Sequence, residues 1–185
     1  CVRGKKGEAV AIGMLERFLV DWMVVHKKNL FQPCKVDRGK KVAIIGSGPA
    51  GMTVAYYLAH EGYQCTIFES LPVFGGMLSV GIPHYRLPRD IIGAELHALQ
   101  NWGVKVVYGV TIGRYKTIQD LRDEGFEAVF LGVGAHVSRK LGVDGEDRQG
   151  VEYGVEFLRN AGSAAGSLGG KEHVVVIGGG NVAVD

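Results

Sequence analysis

Short apolar runs that end in glycine, with helical-period stretches between them, set the pattern of this chain. Val42 to Ile45 is one such run and leads straight into Gly46-Ser47-Gly48-Pro49-Ala50-Gly51. Met52, Ala55, Tyr56 and Ala59 then recur on one helical face, Gly62 breaks the period, and Cys65 to Phe68 form a second run closed by Glu69. The pattern predicts strand, glycine turn, helix, turn, strand and acid, a βαβ unit. Upstream, Val10, Met14, Phe18 and Trp22 fall at helical spacing with Leu15 and Leu19 beside them, predicting a helix from Glu8 whose stripe packs in a core rather than lining a partner groove. Residues 26–40, broken by Pro33 and Gly39, read as a linker.

Downstream of Glu69 the segment 70–87 holds too many glycines and prolines for a regular element, yet Phe74, Met77, Leu78, Ile82, Tyr85 and Leu87 predict that it is packed. A helix over 88–102 follows, ended by Gly103, then a strand from Val104 to Val107 and a short helix from Ile118 to Asp123. Glu127 to Leu131 reads as a buried strand running into Gly132-Val133-Gly134-Ala135. Polar and glycine turns fill 136–150, Val151 to Arg159 has a helical pattern, and 161–170 is a small-residue linker. Val174 to Ile177 then reads as a parallel-type strand entering Gly178-Gly179-Gly180-Asn181-Val182-Ala183.

Each residue of the first turn has a physical reason. Gly46 permits the tight turn off the strand, Gly48 lets a pyrophosphate approach the backbone, and Gly51 lets the helix pack closely on the sheet. Pro49 suits a first helical turn, whose N–H groups and positive dipole end face an anion. Glu69 is placed to accept hydrogen bonds from an adenosine ribose, and its charge disfavours a 2′-phosphate. Gly75-Gly76 would let backbone approach a flat or phosphorylated group, and Arg86 is a candidate phosphate contact through its forked donors. The second turn, G-x-G-x-x-A, repeats the device. Two such turns point to two dinucleotides, a bound flavin and an exchangeable nicotinamide.

Composition narrows the picture. Among 185 residues 46% are apolar, and a formal net charge of +2 gives no reason to place nucleic acid or an anionic membrane among the partners. No apolar run has the length of a transmembrane helix and no signal peptide is visible. Glycine is the outlier at 29 residues, with many at strand ends and turns. Cys1, Cys34 and Cys65 are odd in number and widely spaced, which argues against a disulfide framework and fits a reducing, cytoplasmic setting, with Cys65 a buried small hydrophobe. The chain opens on Cys1 and stops inside an expected helix at Asp185, which reads as an internal piece of a longer protein.

The stretches CVRGKKGEAVAIGMLERF, VAIIGSGPAG, FGGMLSVGIPHYRLPRDII, VFLGVGAHVSRKLGVDGED and VVVIGGGNVAVD together resemble the small (beta) subunit family of NADPH-dependent glutamate synthase. The same family takes in the amino-terminal half of dihydropyrimidine dehydrogenase and the NADP-binding subunit of bifurcating ferredoxin–NADP reductases. GIPHYRLP and VGAHVSRKLG are far more specific than any glycine turn. The resemblance implies an α/β chain: a Rossmann-like FAD-binding domain over 39–150, preceded over 1–38 by the helical end of an iron–sulfur domain and followed over 151–185 by the start of an NAD(P)-binding Rossmann domain. It implies that Gly46, Ser47, Gly48, Pro49, Ala50 and Gly51 hold the FAD pyrophosphate and Glu69 the ribose. Gly76, Met77 and Leu78 would lie along the flavin, Arg86 would reach an FAD phosphate, Ile112 would lie near the adenine through its backbone, and Gly134 would sit in a strand-end turn against FAD. Gly178, Gly180, Asn181, Val182 and Ala183 belong to the turn for NADPH, with NADH left open. Cys1 matches the last cysteine of an iron–sulfur segment whose other ligands lie outside this chain.

The function so implied is a module in which electrons pass from NADPH through FAD to iron–sulfur clusters, serving a larger catalytic or electron-accepting subunit. The competing reading is a non-catalytic flavoprotein subunit, against which the second turn speaks. A third is a flavin-free dehydrogenase, against which segment 70–87 speaks. No nucleophile–base arrangement is visible and no catalytic acid is assigned. His84 and His136, in the two most distinctive loops, read as packing or hydrogen-bonding residues.

Overall fold

The computed structural model describes residues 1–26, 36–161 and 173–185. Most of the linker read at 26–40, with Cys34, and nearly all of that at 161–170 lie outside the described residues. The chain divides into two compact units, Cys1–Gln32 and Pro33–Asp185.

The first unit holds a single 3₁₀ turn, Val2–Lys5, and helix α1, Ile12–Val25. The helix starts later than Glu8 because the Ile12 amide donates to the Val10 carbonyl at 2.9 Å, a tight turn that no α-helix continues. Its apolar stripe is not a core: Met14 is 77% exposed and Phe18 62%. The expectation of packing fails because one helix has no second layer in its own unit among the described residues, and a stripe is buried only against another element.

The second unit is built on a parallel sheet. Strand β1, Lys41–Ile45, is followed by α2, Pro49–His60, and β2, Gln64–Glu69. Segment 70–88 contains one helical turn, α3, Met77–Val80, which the sequence reading did not expect there. Gly76 at φ +54 turns the chain into it, and the Ser79 hydroxyl donates to the Phe74 carbonyl. Then come α4, Arg89–Asn101, β3, Lys105–Tyr108, α5, Ile118–Asp123, and β4, Phe126–Leu131. Helices α6, Gly154–Ala161, and α7, Asn181–Val184, complete the described residues.

The strand order is β3-β2-β1-β4, all parallel, so the chain steps outward from β1 through β2 to β3 and returns to the other side of β1 for β4. Alternation along β1 divides the core. Val42 and Ile44 join Ala55, Ala59, Cys65, Ile67, Ile92 and Leu99 beneath α2 and α4. Ala43 and Ile45 join Phe68 and Leu121 on the opposite face, where α5 covers the sheet. Period-two side chains feeding two helical layers make an α/β/α arrangement. Cys65 is 2% exposed, and burial pushes its thiol pKa up to about 11, so it remains a protonated, small apolar residue.

Two strand expectations need correction. β4 is not buried throughout: among the described residues it forms the edge of the sheet, and Leu131 is 61% exposed. Val174 to Ile177 forms no ladder, and Val175 and Ile177 are 86% and 79% exposed. A parallel strand exists only through its neighbours, and no strand among the described residues lies beside this one.

Leu121 is fully buried where α5 meets β4. Leu121→Ala is expected to lower the unfolding free energy by about 2–5 kcal/mol, measured as a shift in urea midpoint at constant m. A loss below about 0.5 kcal/mol, the scale of ordinary surface substitutions, would show that α5 is not a packed part of the sheet.

Candidate functional site

The carboxyl ends of β1, β2 and β4 meet at one place because the strand order reverses between β1 and β4, the position where open α/β sheets form a crevice. There the Gly46–Gly51 turn passes from β1 into α2. Gly46 has φ +99, and a Cβ on it would collide with the Gly132 carbonyl just beyond β4. A Cβ on Gly51 would collide with the Gly46 carbonyl. Both glycines are therefore required by the fold itself. Gly48 differs: its backbone is one that any residue adopts, φ −68 and ψ −177, and its Cβ direction meets nothing within 4 Å. The open space beside Gly48 is bounded by the first turn of α2, where Pro49 needs no N–H and the amides of Ala50 and Gly51 have no intrahelical acceptor. Such a cradle fits a dinucleotide pyrophosphate.

Beneath the turn lies a buried polar knot. Ser47 is fully buried and Glu69 is 4% exposed. One carboxylate oxygen of Glu69 accepts from the Ser47 amide at 2.9 Å and from the Ser47 hydroxyl at 2.6 Å. The other accepts from the Leu71 amide at 2.8 Å and the Ser70 hydroxyl at 3.2 Å. Burial alone would raise the Glu69 pKa, but these bonds, led by the Ser47 hydroxyl, hold it below the ordinary carboxylate value. The Ser47 hydroxyl in turn accepts from the Gly75 amide at 2.9 Å. A single serine thus ties the glycine turn, the end of β2 and the Gly75-Gly76 corner together. Ser47 lies within the turn that the sequence assigns to the pyrophosphate, and its side chain is turned inward.

The corner brings the second predicted element to the first. A Cβ on Gly76 would lie 3.1 Å from the Gly48 Cα, so the backbones of the two loops touch. Met77 begins α3 and Leu78 packs against the core beneath α2 and α4. Beyond them the carbonyls of Leu78, Ile82 and Leu87 all accept from the Arg89 guanidinium, at 3.0, 2.7 and 3.0 Å. Sequence reading missed Arg89. The available signal was a basic side chain in the first turn of a helix, where the dipole disfavours it.

Arg86 forms an ion pair with Asp185, which raises its pKa, and the Tyr85 hydroxyl donates to the Asp185 carbonyl at 3.2 Å. Ile112 pairs with Lys116 in an isolated bridge and lines an apolar groove of about 550 Å³ with Ile45, Leu131 and Val133. Gly134 has φ +69, and a Cβ there would stand 3.6 Å from the half-buried His136 ring, whereas His84 is exposed. In the second turn Gly178 has φ +129 and Gly180 caps α7, which carries Asn181, Val182 and Ala183. A Cβ on Gly154 would lie 2.8 Å from Val182, so α6 approaches α7 closely. Cys1 is exposed at the start of the first unit. Gly132 walls the first turn and is absent from the residues that the sequence assigns to the site. Its signal was a glycine ending a strand at the same level as Gly46.

A family model described as pyridine nucleotide-disulphide oxidoreductase matches residues 40–185. The chain is 44% identical to the NADP(+)-dependent formate dehydrogenase subunit beta of Moorella thermoacetica, over all of this chain and 29% of that protein. It is 33% identical to the glutamate synthase [NADPH] small chain of Escherichia coli, again over all of this chain and 41% of that protein. The chain spans well under half the length of these curated relatives. Among solved structures, Mycobacterium tuberculosis FprA in complex with NADPH superposes with a TM-score of 0.60 at 23% identity, over 65% of this chain and 28% of that one. That likeness is one of fold. The kinship read from GIPHYRLP and VGAHVSRKLG is met by the glutamate synthase relative. No helix among the described residues is long and apolar enough to cross a membrane.

The glycines separate into two experimental classes. Gly51→Ala is expected to cost more than about 2 kcal/mol of stability, because backbone must move to admit the methyl. Gly48→Val should leave the ligand-free urea midpoint within about 1 kcal/mol of wild type yet abolish dinucleotide binding, measured by isothermal titration. Binding retained by the valine variant would show that the cradle beside Gly48 is not the site.

Glu69 predicts a pH dependence of definite sign. Its native pKa lies below the ordinary 4.5, so its stabilising contribution is full above that value and is lost as pH falls through the native one. Urea unfolding of Glu69→Gln should therefore show a shallower loss of stability than wild type between about pH 5 and pH 3. Parallel curves would remove the carboxylate from the acid transition.

Proposed function

The chain belongs to the pyridine nucleotide-disulphide oxidoreductase family, and from that premise we propose that it carries the FAD-binding part and the opening of the NAD(P)H-binding part of an electron-transfer module. In this reading NADPH is the electron source and iron–sulfur clusters are the acceptors, as in a glutamate synthase small subunit. The observation that carries it is the open cradle beside Gly48, walled by Gly46, Gly51 and the touching backbone of Gly76. The relatives support the choice of nicotinamide, since one is named as NADP(+)-dependent and the other as an NADPH enzyme's small chain.

The chain's own residues bind and orient. The first turn of α2 takes the pyrophosphate, with Ser47 holding that turn from below. Glu69 would accept a ribose hydroxyl by releasing the Ser70 hydroxyl, the longest of its four bonds. Gly76, Met77 and Leu78 present their segment to the flavin, Gly134 lies at the strand-end turn, and Ile112 offers its backbone to the adenine. Arg86, whose Nε is paired with Asp185 here, would offer a phosphate its terminal guanidinium nitrogens. Gly178, Gly180, Asn181, Val182 and Ala183 form the nicotinamide turn, for which NADH remains an alternative donor. Cys1 would complete a cluster whose other ligands come from outside this chain. FAD, when bound, supplies hydride acceptance and one-electron release. A larger catalytic or electron-accepting subunit is the proposed partner, in a reducing cytoplasm.

The test is the visible spectrum of the purified whole protein before and after anaerobic addition of NADPH. A flavin spectrum that bleaches is expected. A flavin that stays oxidised would support the alternative, a non-catalytic flavoprotein subunit, and a colourless protein would remove FAD altogether. Orientation rather than side-chain proton transfer is asked of this chain. His84→Gln and His136→Gln are accordingly expected to keep the stopped-flow bleaching rate within about tenfold, roughly 1.4 kcal/mol of barrier. A loss of a hundredfold or more with FAD still bound would make that histidine a participant.

A further inference from the structure

We propose that Arg89 is a positioning residue for the flavin, acting through the backbone of 76–87; the inference rests on the function proposed above. Segment 81–88 contains Pro83 and Pro88 and lies in no helix or strand, so those of its carbonyls that no local turn satisfies need donors from elsewhere. One guanidinium supplies them, donating to Leu78, Ile82 and Leu87 from the first residue of α4. These three carbonyls bracket the whole distinctive loop. Its upstream end is fixed independently, by the Gly75 amide on Ser47 and by Gly76 against Gly48. Between these two anchors run Gly76, Met77 and Leu78, the residues proposed to lie along the flavin.

Two further observations separate this role from ordinary packing. A positive charge at the start of α4 opposes the helix dipole, and a local conflict of that kind is expected where a residue serves a site. The geometry is also one that a planar fork meets and an ammonium meets only in part, because the acceptors lie in different directions around a half-buried group. Among the described residues the hydrogen bonds of Arg89 go to carbonyl oxygens, so its influence on the flavin is transmitted by where it holds the backbone.

The experiment uses the whole protein, stripped of flavin and reconstituted with FAD, comparing wild type with Arg89→Met, Arg89→Gln and Arg89→Lys. Read by quenching of flavin fluorescence, Arg89→Met is expected to raise the FAD dissociation constant by about tenfold to a hundredfold, the scale of one or two lost charge-assisted hydrogen bonds. Arg89→Lys should recover part of that loss. The visible-region circular dichroism of bound FAD should change in Arg89→Met and return toward wild type in Arg89→Lys, a signature that loss of stability alone does not move. Arg89→Gln, which keeps a donor and fills similar space, gives the same reading should the methionine variant not fold. Dissociation constants within about twofold of wild type, or weaker binding with an unchanged dichroism spectrum, would overturn the inference while leaving the proposed function intact. Failure of wild type itself to take up FAD would instead refute the proposed function, and the inference with it.

Discussion

A carboxylate buried to 4% exposure beside a fully buried serine is the constraint on which the candidate site depends. Removing an ionised carboxylate from water is costly unless its lone pairs are satisfied. Glu69 meets that requirement with two amides and two hydroxyls, all from residues that would otherwise be free loop. The four bonds therefore do more than stabilise an ion. They fix the height of the glycine turn above β2 and, through Ser47, the position of the Gly75-Gly76 corner. An apolar residue at position 69 would leave the Ser47 and Leu71 amides without their acceptor and the two loops without a common anchor.

Much of the sheet was legible because short strands buried on both faces leave continuous apolar runs, and β1, β2, α2, α4 and α5 fall where the pattern put them. Patterns of that kind report local burial and not position within a sheet. Glu127 to Leu131 has the same composition as a central strand, yet it forms the edge, and only the strand order distinguishes the two. Val174 to Ile177 shows the limit more clearly, since its β-branched run is exposed with no partner strand among the described residues. The α1 stripe fails for the same reason: amphipathicity states that a face can be buried and is silent about what buries it.

In the site, what was legible was the glycine spacing, and what was not was the division of labour behind it. Gly46, Gly48 and Gly51 look alike in the motif, but backbone collisions explain the first and last and only open space explains the second. Ser47 carries no signal in sequence, because an inward hydroxyl between two glycines is indistinguishable from an outward one. Gly132 becomes a wall only once β4 meets β1, whereas the partners of Arg89 lie two, seven and eleven residues before it, in a segment whose path no periodicity encodes. Arg86 shows the converse. Its forked donors suggest a phosphate, and in the folded chain its Nε is paired with the Asp185 carboxylate.

The contact between Gly46 and Gly132 also bears on the order in which the domain can assemble. β1, α2 and β2 are consecutive and can pair as soon as they exist, since the loop to be closed is short. β4 joins the other side of β1 only after α4, β3 and α5 have been traversed, a non-local pairing of the kind that slows folding. The far wall of the glycine turn is therefore supplied late. During synthesis the chain displays its glycine motif well before that motif has a back to lean on.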